Sequence, residues 1–443
     1  MTEQKSAVGN AKKSGISRRD LVRNAGIAGA AGLLAGGAGG YFLAPRGGTA
    51  GGGAAAGGKI KIGIVAPVTG PYSGDGQEMV RGAEMAVEDI NKFGGVMGQE
   101  VELVVADISD QAPENYIQAA ERLVSREKVV AVTSGYATAT SVEFDTYAQA
   151  GVPLFHTNTL QANTDYAIEN GMTNIFQCCP TEIWYASGFV KLMQEWIDSG
   201  VWKPSSKTVA IISSNDSYSI SIADVFKKGV EELGWKVSMY EEVTVPYADW
   251  GPQLSKIRND PPGLIFITDY LAGDLASFAK QFATDPTPSL LYQQYGPSVP
   301  EYLDLAGDAA NGVVWSTTIG TLPDQIGDDF RNRYERTYGA AAGLSQSGAQ
   351  YDIVRLWAQA AAMAGDVTNF EKVNEAVLQV RFRGVVGTYN LDPEDQTAIP
   401  YPDRVNDPSL GMPHLTYQIQ DGKQVLISPT PYENGQFQLP KWL

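Results

Sequence analysis

Histidine and cysteine are nearly missing from this chain, with two of each in 443 residues. Cys178 and Cys179 are adjacent, a spacing that fits no zinc pattern, and neither His156 nor His414 lies near them in sequence. That leaves little material for a metal site, and no metal or cofactor is expected. A bridge between neighbouring cysteines closes a strained ring, so two free or buried thiols are expected, with a vicinal disulfide as the alternative in an exported protein. Catalytic signatures are missing as well. There is no Walker A lysine loop, no Gly-x-Ser-x-Gly elbow and no HExxH, and Gly74-Asp75-Gly76 falls short of a dinucleotide fingerprint. No carboxylate pair is placed by spacing for acid–base work, so an enzyme is not expected. Positive charge is scarce: 33 Lys and Arg stand against 50 Asp and Glu, a net charge of -17. Seven of those cations fall in the first 58 residues, so the remainder carries about −22. A body that acidic argues against nucleic acid and against anionic membrane surfaces.

The length suits two domains plus extras, and the 43% apolar fraction suits a sizeable core. At the start, Ser17-Arg18-Arg19-Asp20-Leu21-Val22 precedes a Gly/Ala-rich apolar run, Asn24 to Ala44. Residues 1–58 therefore read as a Tat-type export signal followed by a Gly/Ala linker, with the Tat translocase as a transient partner. The run is long enough to span a membrane, but its seven glycines weaken insertion. Cleavage, for instance after Ala56, and retention as an anchor both stay open. No Cys follows the run for lipid attachment.

The informative stretch is Lys59 to Asp107. Lys-Ile-Lys-Ile-Gly-Ile-Val-Ala-Pro reads as a strand buried on both faces. The turn-rich loop Val68–Gly76 follows, and then Met79, Ala83, Ala86, Val87 and Ile90 recur at helical spacing. Three glycines break the helix before Val101–Ala106, a second apolar strand. Strand, helix and strand make one parallel βαβ unit, whose loops at the carboxyl edge of the sheet are where ligands bind. Tyr72 sits on the first such loop.

IGIVAPVTGPYSGDGQEMVRGAEMAVEDINKFGGVMGQEVELVVAD closely resembles the opening of the solute-binding proteins of branched-chain amino acid ABC transporters. That family has the type I, leucine-binding-protein-like periplasmic fold and includes amide and urea binders. The resemblance runs from about Lys59 to the C-terminus. It implies an α/β protein of two lobes, each a mostly parallel sheet flanked by helices, with three hinge crossings. Lobe one would hold residues 59–179 and 318–412, and lobe two residues 180–317 and 413–443. It further implies a periplasmic or extracytoplasmic protein that closes on a small solute and hands it to ABC permease subunits. A sensor module of the same fold and, less fittingly, an exported enzyme are the alternatives.

Strand exits then supply the site. Ser134 to Ser141 opens a helix with small and hydroxylated residues, and the resemblance places the ligand there, against Tyr136, Ala137 and Thr138. Asn158 and Thr159 follow the strand Pro153–Asn158, in which His156 reads as a packed residue. In the second half Tyr218, Tyr270 and Tyr295 recur at strand exits, suited to a pocket wall because a phenol offers apolar area and one hydrogen bond. Leucine-type relatives carry an acid after the strand matching Leu290–Gln293. Here Gln294-Tyr295 stands in that place. An α-amino acid would then need another anion for its ammonium, from Glu182 or Asp269. Otherwise an amide, a urea-like compound or an aromatic acid fits the aromatic wall better. The segment Phe382–Asn390 is expected to form a late strand, and Leu415–Ile419 with Gln424–Ser428 a hairpin around Asp421-Gly422.

Overall fold

The structure, a computed structural model, describes residues 58–443. The twin-arginine motif and the apolar run lie outside the described residues. Two sheets organise the described chain. The first is built from β1 (Ile60–Ala66), β2 (Val101–Asp107), β3 (Val132–Ser134), β4 (Leu154–His156) and β5 (Ile175–Gln177), all parallel, in the order β2-β1-β3-β4-β5. β1 sits inside this sheet with nearly every residue buried, which is what its unbroken apolar run requires. The helix Ser73–Lys92 lies along the long helix Gln346–Ala364 from the far end of the chain. The two backbones meet so closely at Gly82 that a Cβ there would fall 2.0 Å from the Ser347 carbonyl oxygen, so this crossing admits only glycine.

Next in the chain come β6 (Thr208–Ser214), β7 (Lys236–Val243), β8 (Leu264–Ile267), β9 (Leu290–Gln293) and β10 (Val314–Thr317). Two small pairs follow: β11 (Phe382–Arg383) with β12 (Thr388–Tyr389), and β13 (Pro400–Tyr401) with β14 (Met412–Pro413). The late segment expected as a strand is therefore a tight antiparallel ribbon. Asp352, buried in the Gln346–Ala364 helix, holds its turn by accepting the Val386 N–H at 3.0 Å. β15 (Leu415–Gln420) and β16 (Lys423–Ser428) close the chain as a hairpin whose Asp421 and Gly422 both have positive φ. The second sheet runs β16-β15-β10-β9-β8-β6-β7, parallel except for that hairpin. Its core is a stack of rings: the Phe266 centroid lies 3.7 Å from that of Phe226 and 4.5 Å from that of Tyr292, nearly parallel to both.

The protein thus has two α/β lobes, and the chain passes between their sheets three times: after β5, after β10 and before β15. The passages meet around Tyr185. Its phenol oxygen accepts the Thr318 N–H at 3.4 Å and the Thr318 hydroxyl at 3.2 Å, tying the first passage to the second. The His414 ring, at the third, stands edge-on to it at 5.7 Å. Burial pushes the His414 pKa down to about 4, so this ring packs as a neutral group. Cys178 and Cys179 are unbridged and fully buried at the first passage, and desolvation raises both thiol pKa values.

Candidate functional site

Parallel strands in both lobes present their carboxyl ends, and the loops that leave them face each other across a cavity of ≈ 310 Å³. Lobe one contributes the loop after β3, Gly135 to Thr140, and the loop after β4, Thr157 to Leu160. Lobe two contributes Asp216, Ser217 and Tyr218 after β6, Tyr270 after β8 and Tyr295 after β9, with Tyr185 from the helix Ile183–Asp198. The structure therefore brings together Tyr136, Ala137, Thr138, Asn158, Thr159, Tyr218, Tyr270 and Tyr295, which lie far apart along the sequence. Tyr72 and Glu182 stand outside the wall. Tyr72 stacks on Tyr270, ring centroids 6.2 Å apart, and so touches the site only through a wall residue.

The lobe-one loops are fixed from behind. Thr138 donates its backbone N–H to Glu143 Oε1 at 2.8 Å and its hydroxyl to Oε2 at 2.5 Å. The polar groups expected to meet a ligand at this residue are thus taken by the chain's own carboxylate, which burial and these bonds hold in place. Asn163 donates to the Thr138 carbonyl at 2.8 Å and accepts from Asn158 at 2.5 Å, locking the two loops together. The backbone N–H groups of Ala137, Ala139 and Thr159 have no acceptor among the described residues. Those of Thr140, Asn158 and Leu160 are likewise without one, so both lobe-one loops carry backbone donors that a solute could use. His156 is buried beneath, and desolvation takes its pKa down to about 4, which keeps it neutral.

Lobe two reaches across to lobe one through Tyr295. Its hydroxyl donates to Asp75 Oδ2 at 3.0 Å, and Tyr136 of lobe one donates to the same oxygen. Asp75 is buried, and desolvation raises its pKa to about 6 against the pull of the two phenols. Tyr295 has φ 57° and ψ −50°, a backbone region costly for a residue with a side chain. This strained backbone belongs to a residue that bonds across the lobes.

The acids suggested as ammonium partners face elsewhere. Glu182 accepts the Gln161 N–H at 2.6 Å and the Ser221 hydroxyl at 2.7 Å, and burial raises its pKa. Asp269 is fully buried, accepts the Leu271 N–H at 2.9 Å and has its pKa raised by desolvation and by Asp274 beside it. Gln294 is also fully buried. It sits behind the wall and donates to the Tyr218 phenol at 3.2 Å. Sequence reasoning missed Asp216, Gln346 and Tyr185. The signal for Asp216 was present: an Asp directly before a helix reads as an N-cap, and its Oδ1 does accept the Ser219 N–H at 3.0 Å. Gln346 opens a helix and reaches Thr157 at 3.1 Å. Tyr185 gave no local signal.

A family model described as periplasmic binding protein matches residues 59–401. The chain is 27% identical over 339 residues to the leucine-, isoleucine-, valine-, threonine- and alanine-binding protein of Pseudomonas aeruginosa, covering 75% of this chain and 86% of that one. Among solved structures it is similar to a Silicibacter pomeroyi protein assigned to a branched-chain amino acid ABC transporter. That match has a TM-score of 0.80 and 38% identity over 87% of this chain and 100% of the other. A solute-binding protein of R. palustris in complex with benzoate shares the fold at TM-score 0.69 and 17% identity, covering 86% of this chain and 99% of that one.

Proposed function

The chain belongs to the periplasmic binding protein family, and from that premise we propose that it is the solute-binding component of an ABC importer, taking a small amino-acid-like or amide-like solute into the interlobe cavity and delivering it to the permease. The observation that carries this reading is the cavity itself. It has the size of a small-molecule site, is walled by both lobes, and its aromatic residues all sit at strand exits or next to a chain passage. Closure by rotation about three passages encloses the solute between the N–H groups of lobe one and the phenols of lobe two. A thermal-shift screen of residues 58–443 against amino acids, amides, ureas and aromatic acids tests it. A binder at 100 times its Kd should add about 2.7 kcal/mol of stability. Silence from every class would refute it.

The same reading places the protein outside the cytoplasm. The Arg18-Arg19 pair and the apolar run behind it support delivery by a Tat-type signal, since that route reads the arginine pair. Changing Arg18→Lys and Arg19→Lys together should leave the precursor in the cytoplasm. Normal appearance of the double variant beyond the membrane, by fractionation and blotting, would rule that leader out.

A further inference from the structure

We propose that the solute carries a cationic nitrogen, an ammonium or methylated ammonium, held by Asp216 with the rings of Tyr218 and Tyr270. The inference rests on the solute-binding reading above and narrows it to a small zwitterion.

The charge of the wall is the first observation. Among its residues there is no Lys, Arg or His, and the single ionisable acid is Asp216. The carboxyl groups behind the wall, Asp75 at Tyr136 and Tyr295, Glu143 at Thr138 and Asp269 beside Tyr270, add no positive charge. A solute bearing only a carboxylate would be stripped of water with no cation to meet it, which is expensive. Asp216 is also incompletely satisfied. Each of its oxygens accepts one bond, Oδ1 from the Ser219 N–H at 3.0 Å and Oδ2 from the Ser214 hydroxyl at 2.5 Å, and each keeps a further lone pair. Closing over a neutral solute would desolvate this carboxylate without replacing its water.

The rings are the second. Tyr218 and Tyr270 meet at 89° with centroids 5.8 Å apart, and Tyr185 meets Tyr218 at 81° and 6.2 Å. Tyr218 thus stands steeply to a phenol on each side, in the same wall as the carboxylate, and such rings attract a cation through their quadrupoles as well as through charge. Burial, and with it the charge of Asp216 nearby, holds the Tyr270 phenol's pKa up. The opposite wall has complementary polarity, because the Ala137, Ala139 and Thr159 N–H groups suit a carboxylate. After β9 this chain has Gln294 turned inward, and the acid of the wall sits after β6.

Calorimetric titration of wild type and Asp216→Asn decides the matter, since asparagine caps a helix as well as aspartate and should leave the fold unchanged. The probes are L-leucine and glycine betaine, which carry cationic nitrogen, and 4-methylpentanoate, 4-methylpentanamide and benzoate, which do not. The expected result is binding of a cationic-nitrogen probe at least 100-fold tighter than of any other probe, weakened at least tenfold by Asp216→Asn with an unchanged melting curve. Preference for benzoate, the acid or the amide, or an Asp216→Asn variant that binds the cationic probe like wild type, overturns the inference while leaving the solute-binding reading intact. Failure of all five probes with wild type overturns this assignment. Only silence across the broader solute screen refutes the reading beneath it.

Discussion

Replacing Ala137 with tryptophan should abolish solute binding and leave the protein folded. Ala137 is partly exposed in the wall of a ≈ 310 Å³ cavity, on a loop held rigid by Glu143 and Asn163. An indole buries on the order of 150–250 Å², and a cavity of this size has no room for both an indole and a solute. The loop cannot swing away without breaking the Thr138–Glu143 bonds, so the new side chain must occupy the cleft and hold Tyr218 and Tyr270 off. The fold should tolerate the change because Ala137 lies at the margin of the lobe-one core and faces open space. Calorimetry should show no heat of binding, with a far-UV melting curve near that of wild type. Unchanged affinity would place the site elsewhere.

The second large effect is electrostatic and appears as a pH dependence of stability. Asp75 has its pKa raised from 3.8 to about 6 by burial. A carboxyl group with a raised folded-state pKa stabilises the fold fully below its unfolded value, where it is neutral in both states. That contribution is lost as pH rises through about 6, because the folded protein must then desolvate a charge. A shift of this size corresponds to about 3 kcal/mol in full. The amide of Asp75→Asn has no proton to lose. The stability difference between Asp75→Asn and wild type should therefore move in favour of the variant by about 2–3 kcal/mol between pH 4 and pH 7. Other shifted groups such as Glu78, present in both proteins, largely cancel in the comparison. Urea unfolding at the two pH values measures this. Parallel profiles would mean that Asp75 is not buried between Tyr136 and Tyr295.

The fold was legible because its signals are periodic. The change from a doubly buried strand to a helical stripe between Lys59 and Asp107 survives any uncertainty of one or two residues, and β6 to β9 repeat the pattern. The β11–β12 ribbon was not legible as such. Its two-residue strands are too short to show a period, and their pairing depends on Asp352, more than thirty residues upstream. At the site, topology alone brings the named loops to one cavity, since each named tyrosine of lobe two follows a parallel strand. Which way an acid turns could not be read. Glu182 and Asp216 both flank helix starts, yet Glu182 turns to Gln161 and Ser221 while Asp216 stays in the wall. The Thr138 hydroxyl looked available because nothing in sequence marks Glu143, five residues on, as its acceptor.

The most direct test is a crystal structure of the protein with the solute that the thermal-shift screen identifies. That solute is expected between the Ala137–Thr159 wall and Tyr218, Tyr270 and Tyr295, with the Tyr295–Asp75 bond closed across the lobes. A solute bound outside this cavity, or enclosed without contact to those tyrosines, would contradict the interlobe site.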